Sequence, residues 1–113
     1  MAILVRLGET DPIVYTSASA GGDEFDNANG FSELEIYNRS GSTRRVQFVE
    51  QRDCTFGEKG SHAAQIVTVP PGAKLRVRHF QIWRYNNAAQ RVEMIYLDGV
   101  AGLQLAALDR PAL

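Results

Sequence analysis

Apolar and polar residues alternate with a period of two along most of this chain. Between positions 65 and 97 the alternation recurs three times. The runs are Gln65-Ile66-Val67-Thr68-Val69, then Lys74-Leu75-Arg76-Val77-Arg78 continuing into Phe80-Gln81-Ile82-Trp83, then Arg91-Val92-Glu93-Met94-Ile95-Tyr96-Leu97. A period of two sends successive side chains to opposite faces of a pleated sheet, so each run reads as a half-buried antiparallel strand. Pro70-Pro71-Gly72 and Tyr85-Asn86-Asn87 separate them as turns. Upstream, Leu34 and Ile36 share one face and Glu33, Glu35 and Tyr37 the other. Arg39-Ser40-Gly41-Ser42 reads as a hairpin loop, and Thr43–Glu50 returns with Val46 and Phe48 together. A final strand covers Leu103–Leu108, after a turn at 98–102 and before Asp109-Arg110-Pro111.

The middle run changes phase. Leu75 and Val77 are odd-numbered, whereas Phe80 and Ile82 are even-numbered. A β-bulge near Arg78-His79 would restore one apolar face and turn Trp83 and Tyr85 outward. Before residue 25 the pattern weakens. Met1–Leu7 and Ile13–Ser17 suit short strands, 17–24 is small and charged like a linker, and Asn29-Gly30 suits a tight turn. The expected organisation is an extended arm and linker over 1–24 and a β domain over 25–113. Its longest interruption is the loop Gln51–His62. Many short strands without a convincing helix predict an all-β, single-domain antiparallel β-sandwich or jelly roll, with a small β-barrel as the second choice.

Composition narrows the function more than it defines it. A chain of 113 residues supports one core without covalent staples, and its single cysteine, Cys54, permits no internal disulfide. The apolar run at the start is too short for a signal peptide. No stretch approaches the roughly 20 residues of a membrane helix, so a chain made in the cytoplasm with no membrane partner is expected. The net charge of −1 argues against a strongly basic nucleic-acid binder. Charge is unevenly spread: residues 1–35 balance at −6 and residues 36–113 at +5. The two parts are expected to attract, within one chain or between copies.

Catalytic and metal patterns fail on spacing. Gly57-Glu58-Lys59-Gly60-Ser61 lacks the register of a phosphate-binding loop. The acids of 23–30 miss a calcium loop at Phe25. Cys54, His62 and His79 form no zinc spacing and no defensible thiol and base pair. No catalytic residue, metal or cofactor is assigned. The remaining features are on the surface: Arg44-Arg45, and Arg76 and Arg78 opposite Leu75 and Val77, with Trp83, Arg84 and Tyr85 close by. Arginine, tryptophan and tyrosine dominate interfaces, although a solvated sheet face is the plainer reading of any single arginine.

One family resemblance goes further. Phe25, Asn27, Gly30, Leu34, Ile36 and Asn38, then Cys54-Thr55-Phe56-Gly57, Val67-Thr68-Val69-Pro70-Pro71-Gly72-Ala73, Phe80, Tyr85-Asn86, Arg91-Val92, Tyr96 and Gly102-Leu103 through Leu108 form its pattern. Over about Phe25–Leu108 the chain resembles small all-β virion proteins of tailed bacteriophages, of the capsid decoration or cement type. It departs at Arg78-His79, where Gly-Pro is more familiar, and at Trp83. The resemblance implies a non-enzymatic protein on the capsid exterior that binds the major capsid protein and itself, as a trimer, without direct nucleic-acid contact. Expected contact residues are Ile13 and Tyr15 of a leading segment that reaches a neighbour, with Arg44, Arg45, Arg76, Arg78, Trp83, Arg84 and Tyr85. Another virion component, or a carbohydrate-binding sandwich stacking sugars on Trp83 and Tyr85, are the alternatives.

Overall fold

The computed structural model describes residues 1–8, 12–51 and 65–109. Within them the alternation becomes nine strands and one helical turn. They are β1 (Ile3–Leu4), β2 (Thr16–Ser17), β3 (Asp23–Asp26), β4 (Ser32–Asn38), β5 (Arg44–Phe48), β6 (Gln65–Val69), β7 (Lys74–Val77), α1 (Ile82–Tyr85), β8 (Arg91–Tyr96) and β9 (Leu103–Asp109). One sheet has the order β1-β3-β8-β5-β6 and the other β2-β9-β4-β7. They form a β-sandwich, as the period of two requires. The larger sheet fills the core with Phe25, Val46, Phe48, Val69, Val92 and Met94, the smaller with Leu34, Ile36, Leu103, Leu105 and Ala107, each at most 1% exposed.

The pairings are nested. β5 pairs with β6, β4 with β7, β3 with β8 and β2 with β9, all antiparallel. The chain is thus one long hairpin folded over on itself, and β1 adds to β3 in parallel. Among the described residues, β5 and β6 are the one pair of consecutive strands in the same sheet. The hairpin expected at Arg39–Ser42 is therefore an arch: Asn38 pairs with Leu103 in the smaller sheet, whereas Arg44 pairs with Val69 in the larger. A period of two tells which side chains face inward, but it is silent on which sheet a strand joins.

A strand that changes sheets strips its backbone of ladder partners, and buried asparagines replace them. Asn38 Nδ2 donates to the carbonyls of Ser42 (2.7 Å) and Val69 (2.9 Å), while its Oδ1 accepts from the Ser40 N–H (3.0 Å). One side chain thereby ties the β4–β5 arch to the end of β6. Asn27 Nδ2 donates to the Phe80 carbonyl and to Asn86 Oδ1, both at 2.8 Å, joining the β3–β4 turn to α1. Gly102 lets the β8–β9 turn press on the first arch. Its φ is +75°, and a Cβ there would lie 2.8 Å from the Ser40 nitrogen.

Two expectations need correction. No bulge forms at Arg78-His79. β7 pairing ends at Val77 opposite Leu34, His79 adopts a left-handed φ of 66°, and the chain leaves the sheet. Phe80 then enters the core edge-on to Phe25 (4.9 Å between centroids), Phe48 (5.0 Å) and Tyr85 (5.9 Å). The phase change thus ends the strand. Secondly, the boundary expected between 24 and 25 falls inside β3. Residues 1–24 supply strands to both sheets, and Asp23, assigned to a linker, is buried.

Candidate functional site

The nine expected contact residues do not form one site. They fall into three places, with Ile13 exposed beside Val14 on the segment leading into β2. The first place is the outer face of the smaller sheet. β4 turns Glu33, Glu35 and Tyr37 to that face, and β7 lays Arg76 beside Glu35 and Lys74 beside Tyr37. Arg76 Nε donates to Glu35 Oε1 at 2.9 Å, and Arg78 Nε lies 3.3 Å from Glu33 Oε1. Tyr15 donates its hydroxyl to Glu35, reaching past β9, where the residue paired with Glu35 is the small Ala106. Its ring tilts against Tyr37 at 5.7 Å, and Lys74 Nζ caps the Tyr37 ring at 4.9 Å.

The electrostatics of this face are internally balanced. Burial by itself would raise the Glu35 carboxyl, but the Tyr15 hydroxyl and the Arg76 guanidinium outweigh it and hold the group below its usual range. Tyr15 is pushed up to about 12, by burial first and by its bond to Glu35 second. The basic strip expected to grip an acidic partner thus spends Arg76 and Arg78 on acids of its own chain. The alternation placed Glu33, Glu35 and Tyr37 only on the face opposite Leu34 and Ile36, because period two cannot show that a neighbouring segment lies over them.

The second place is the end of the sandwich at the β8–β9 turn. Arg45 makes a forked pair with Asp98 through Nε and one terminal nitrogen, each at 2.9 Å, and Arg44 donates to the Asp98 carbonyl. The Arg45 bonds hold the Asp98 carboxyl below its ordinary value. These arginines lock the turn against β5.

The third place is the opposite tip, built by α1 and the β3–β4 turn. Trp83 is 47% exposed, whereas Tyr85 is only 5% exposed and packs on Phe80. The expected outward pair is thereby split: a helical turn, unlike a strand, does not keep two residues separated by one on the same side. Arg84 pairs with Glu50 at 2.8 Å and lies over the Tyr85 ring. Exposed Ile82 and Phe31, missed in the sequence, accompany Trp83, and a Cβ on Gly30 would lie 3.2 Å from the Ile82 side chain. A depression of about 230 Å³ beside the tip is lined by Val77, Arg78, His79, Phe80 and Gln81 among others. That is below the roughly 300–1,000 Å³ of typical small-molecule pockets.

Cys54, His62 and the glycine-rich loop 57–61 lie outside the described residues. Among the described residues no three His, Cys, Asp or Glu side chains gather as a metal set. What the geometry offers is an apolar tip and a balanced polar face. No protein-family model, no curated protein and no solved structure matches the chain.

Proposed function

We propose that this chain is a structural, non-catalytic protein of a tailed-phage particle, bound to the major capsid protein on the outer surface and stabilising the shell. The reading rests on the sequence resemblance and on one structural observation, the apolar tip of Phe31, Ile82 and Trp83. Three large apolar side chains at one end of a rigid domain suit docking, and tryptophan is the residue type most enriched at binding hot spots. The nested strand order matches that of a jelly roll, a winding shared by capsid proteins, lectins and cupins, so the winding is compatible with the role without prescribing it. The carbohydrate alternative loses one of its two stacking platforms, because Tyr85 is in the core.

Quantitative mass spectrometry of purified mature particles tests the proposal. A decoration protein is present in hundreds of copies per particle, whereas a head-fibre base or tail component is present in few. Trp83→Ala is expected to lower particle occupancy by at least about tenfold with an unchanged circular dichroism spectrum, the loss typical of a hot-spot residue. Absence of the chain from mature particles would overturn the reading.

A further inference from the structure

The two sheets end in four edges, β1 and β6 in the larger and β2 and β7 in the smaller. An open edge is a template for another strand, and proteins blunt it by shortness, charge or cover. β1 and β2 have two residues each, and β7 carries Lys74 and Arg76. β6 has neither protection: it runs for five residues, is uncharged, and is β-branched from Ile66 to Val69.

Its free groups can be identified. The Leu97 N–H donates to the Arg45 carbonyl and the Val49 N–H to the Glu93 carbonyl, so the odd-numbered residues of β5 bond towards β8. Bonding alternates sides along a strand, so Arg44, Val46 and Phe48 bond towards β6, where their partners are Val69, Val67 and Gln65. Ile66 and Thr68 are left with N–H and C=O groups aimed away from the sheet. Among the described residues nothing takes them.

We propose that this edge pairs with β6 of a second copy of this chain, antiparallel about a twofold axis at Val67. That register sets Ile66 of one copy opposite Thr68 of the other and satisfies the outward groups of both residues in each copy. A strand paired with itself brings like residues close. β6 has no charge to repel, whereas β7 paired in this way would bring Arg76 towards its own copy. On the outer face the row of Ile95, Gln47 and Ile66, in which Ile66 is 42% exposed, then runs on into Thr68 and Arg45 of the second copy. This contact is distinct from the apolar tip and does not depend on the capsid reading.

Sedimentation equilibrium of the full chain from micromolar to millimolar concentration tests it. The expected mass is twice the 12.5 kDa of one chain. Thr68→Pro deletes an outward donor and leaves the β5 ladder intact, a substitution that edge strands accept. It is expected to weaken association by at least about tenfold, since each copy loses a hydrogen bond. Ile66→Lys weakens association too, and combining it with Thr68→Glu restores it, because each lysine then faces a glutamate. A wild-type chain monomeric throughout the range would overturn the proposal. So would association unaffected by Thr68→Pro in a chain with a wild-type circular dichroism spectrum, or a double variant no stronger than Ile66→Lys alone.

Discussion

At the scale of single residues, Asp23 is a buried charge that joins three separate segments. It is 1% exposed and accepts hydrogen bonds from the Ala2 N–H (2.8 Å), the Ser19 N–H (2.9 Å) and the Tyr96 hydroxyl. One carboxylate thus holds the start of the chain, the β2–β3 turn and β8 together. Burial alone would raise its pKa, but the bonds from Tyr96, Ser19 and Ala2 outweigh burial and depress it. A depressed carboxylate contributes stability that is fully present above its unfolded value, about 4, and lost as pH falls through the folded value. Asp23→Asn, which turns an acceptor into a donor facing other donors, is expected to cost about 2 kcal/mol or more at pH 7. The cost should shrink as pH falls below about 4, where the unfolded wild-type chain takes up the proton first and the folded carboxyl only at lower pH. Urea unfolding of both chains at the two pH values checks this. Nothing in the sequence marked Asp23 as buried, because its partner Tyr96 is 73 residues away and no local pattern encodes so distant a bond. Leu34 and Ile36, by contrast, were legible as core, since their burial follows from alternation within one strand.

At the scale of elements, the informative stretch runs from the end of β7 to α1. The parity change between Val77 and Phe80 was visible in the sequence, but its resolution was not. A bulge and a strand exit produce the same phase shift, and the choice depends on what the core needs at that point. It needs Phe80, which closes the end of the sandwich against Phe25 and Phe48. Phe80→Ala is expected to cost about 3–5 kcal/mol, the range for emptying a packed aromatic site. The exit is made at His79, whose left-handed φ is unfavourable for a residue with a Cβ. His79 is exposed, so its side chain can be changed with little effect on packing. His79→Gly is expected to keep or raise stability, by up to about 1 kcal/mol, whereas His79→Val lowers it, because β-branched residues resist positive φ most. Thermal unfolding of the three chains gives the order Gly, His, Val. A continuous strand with a bulge whose extra residue is right-handed would have produced no such order. The single turn of α1 escaped sequence reading for a related reason: Ile82–Tyr85 has no side-chain cap and no second turn to make a 3.6-residue period visible.

At the scale of the whole molecule, the uneven charge and the nested winding have one explanation. The acidic front and basic body meet within the chain where Glu33 and Glu35 face Arg76 and Arg78; Arg6 of the front adds bridges to Asp26 and Asp109. The first residues are therefore part of the sandwich. Leu4 is in the core, and β1 and β2 cover the outer edges of β3 and β9. Removing residues 1–17 would strip both covers at once. It would also take away Leu4, the Ala2 bond to Asp23 and the Tyr15 bond to Glu35. Deleting a buried leucine side chain alone costs about 2–5 kcal/mol. The truncated chain is expected to lose at least about 3 kcal/mol, and to do so as one cooperative transition, since the lost groups belong to both sheets. It should also associate. The bared β9 runs for seven residues with Leu103, Leu105, Ala106, Ala107 and Leu108 in succession around Gln104, a long apolar edge of the kind that recruits other strands. Urea unfolding with light scattering on the truncated and full chains decides between two pictures. A dispensable arm predicts equal midpoints and no scattering; an arm that seals two edges predicts an earlier midpoint and aggregation that Thr68→Pro, acting at the far edge of the larger sheet, does not prevent.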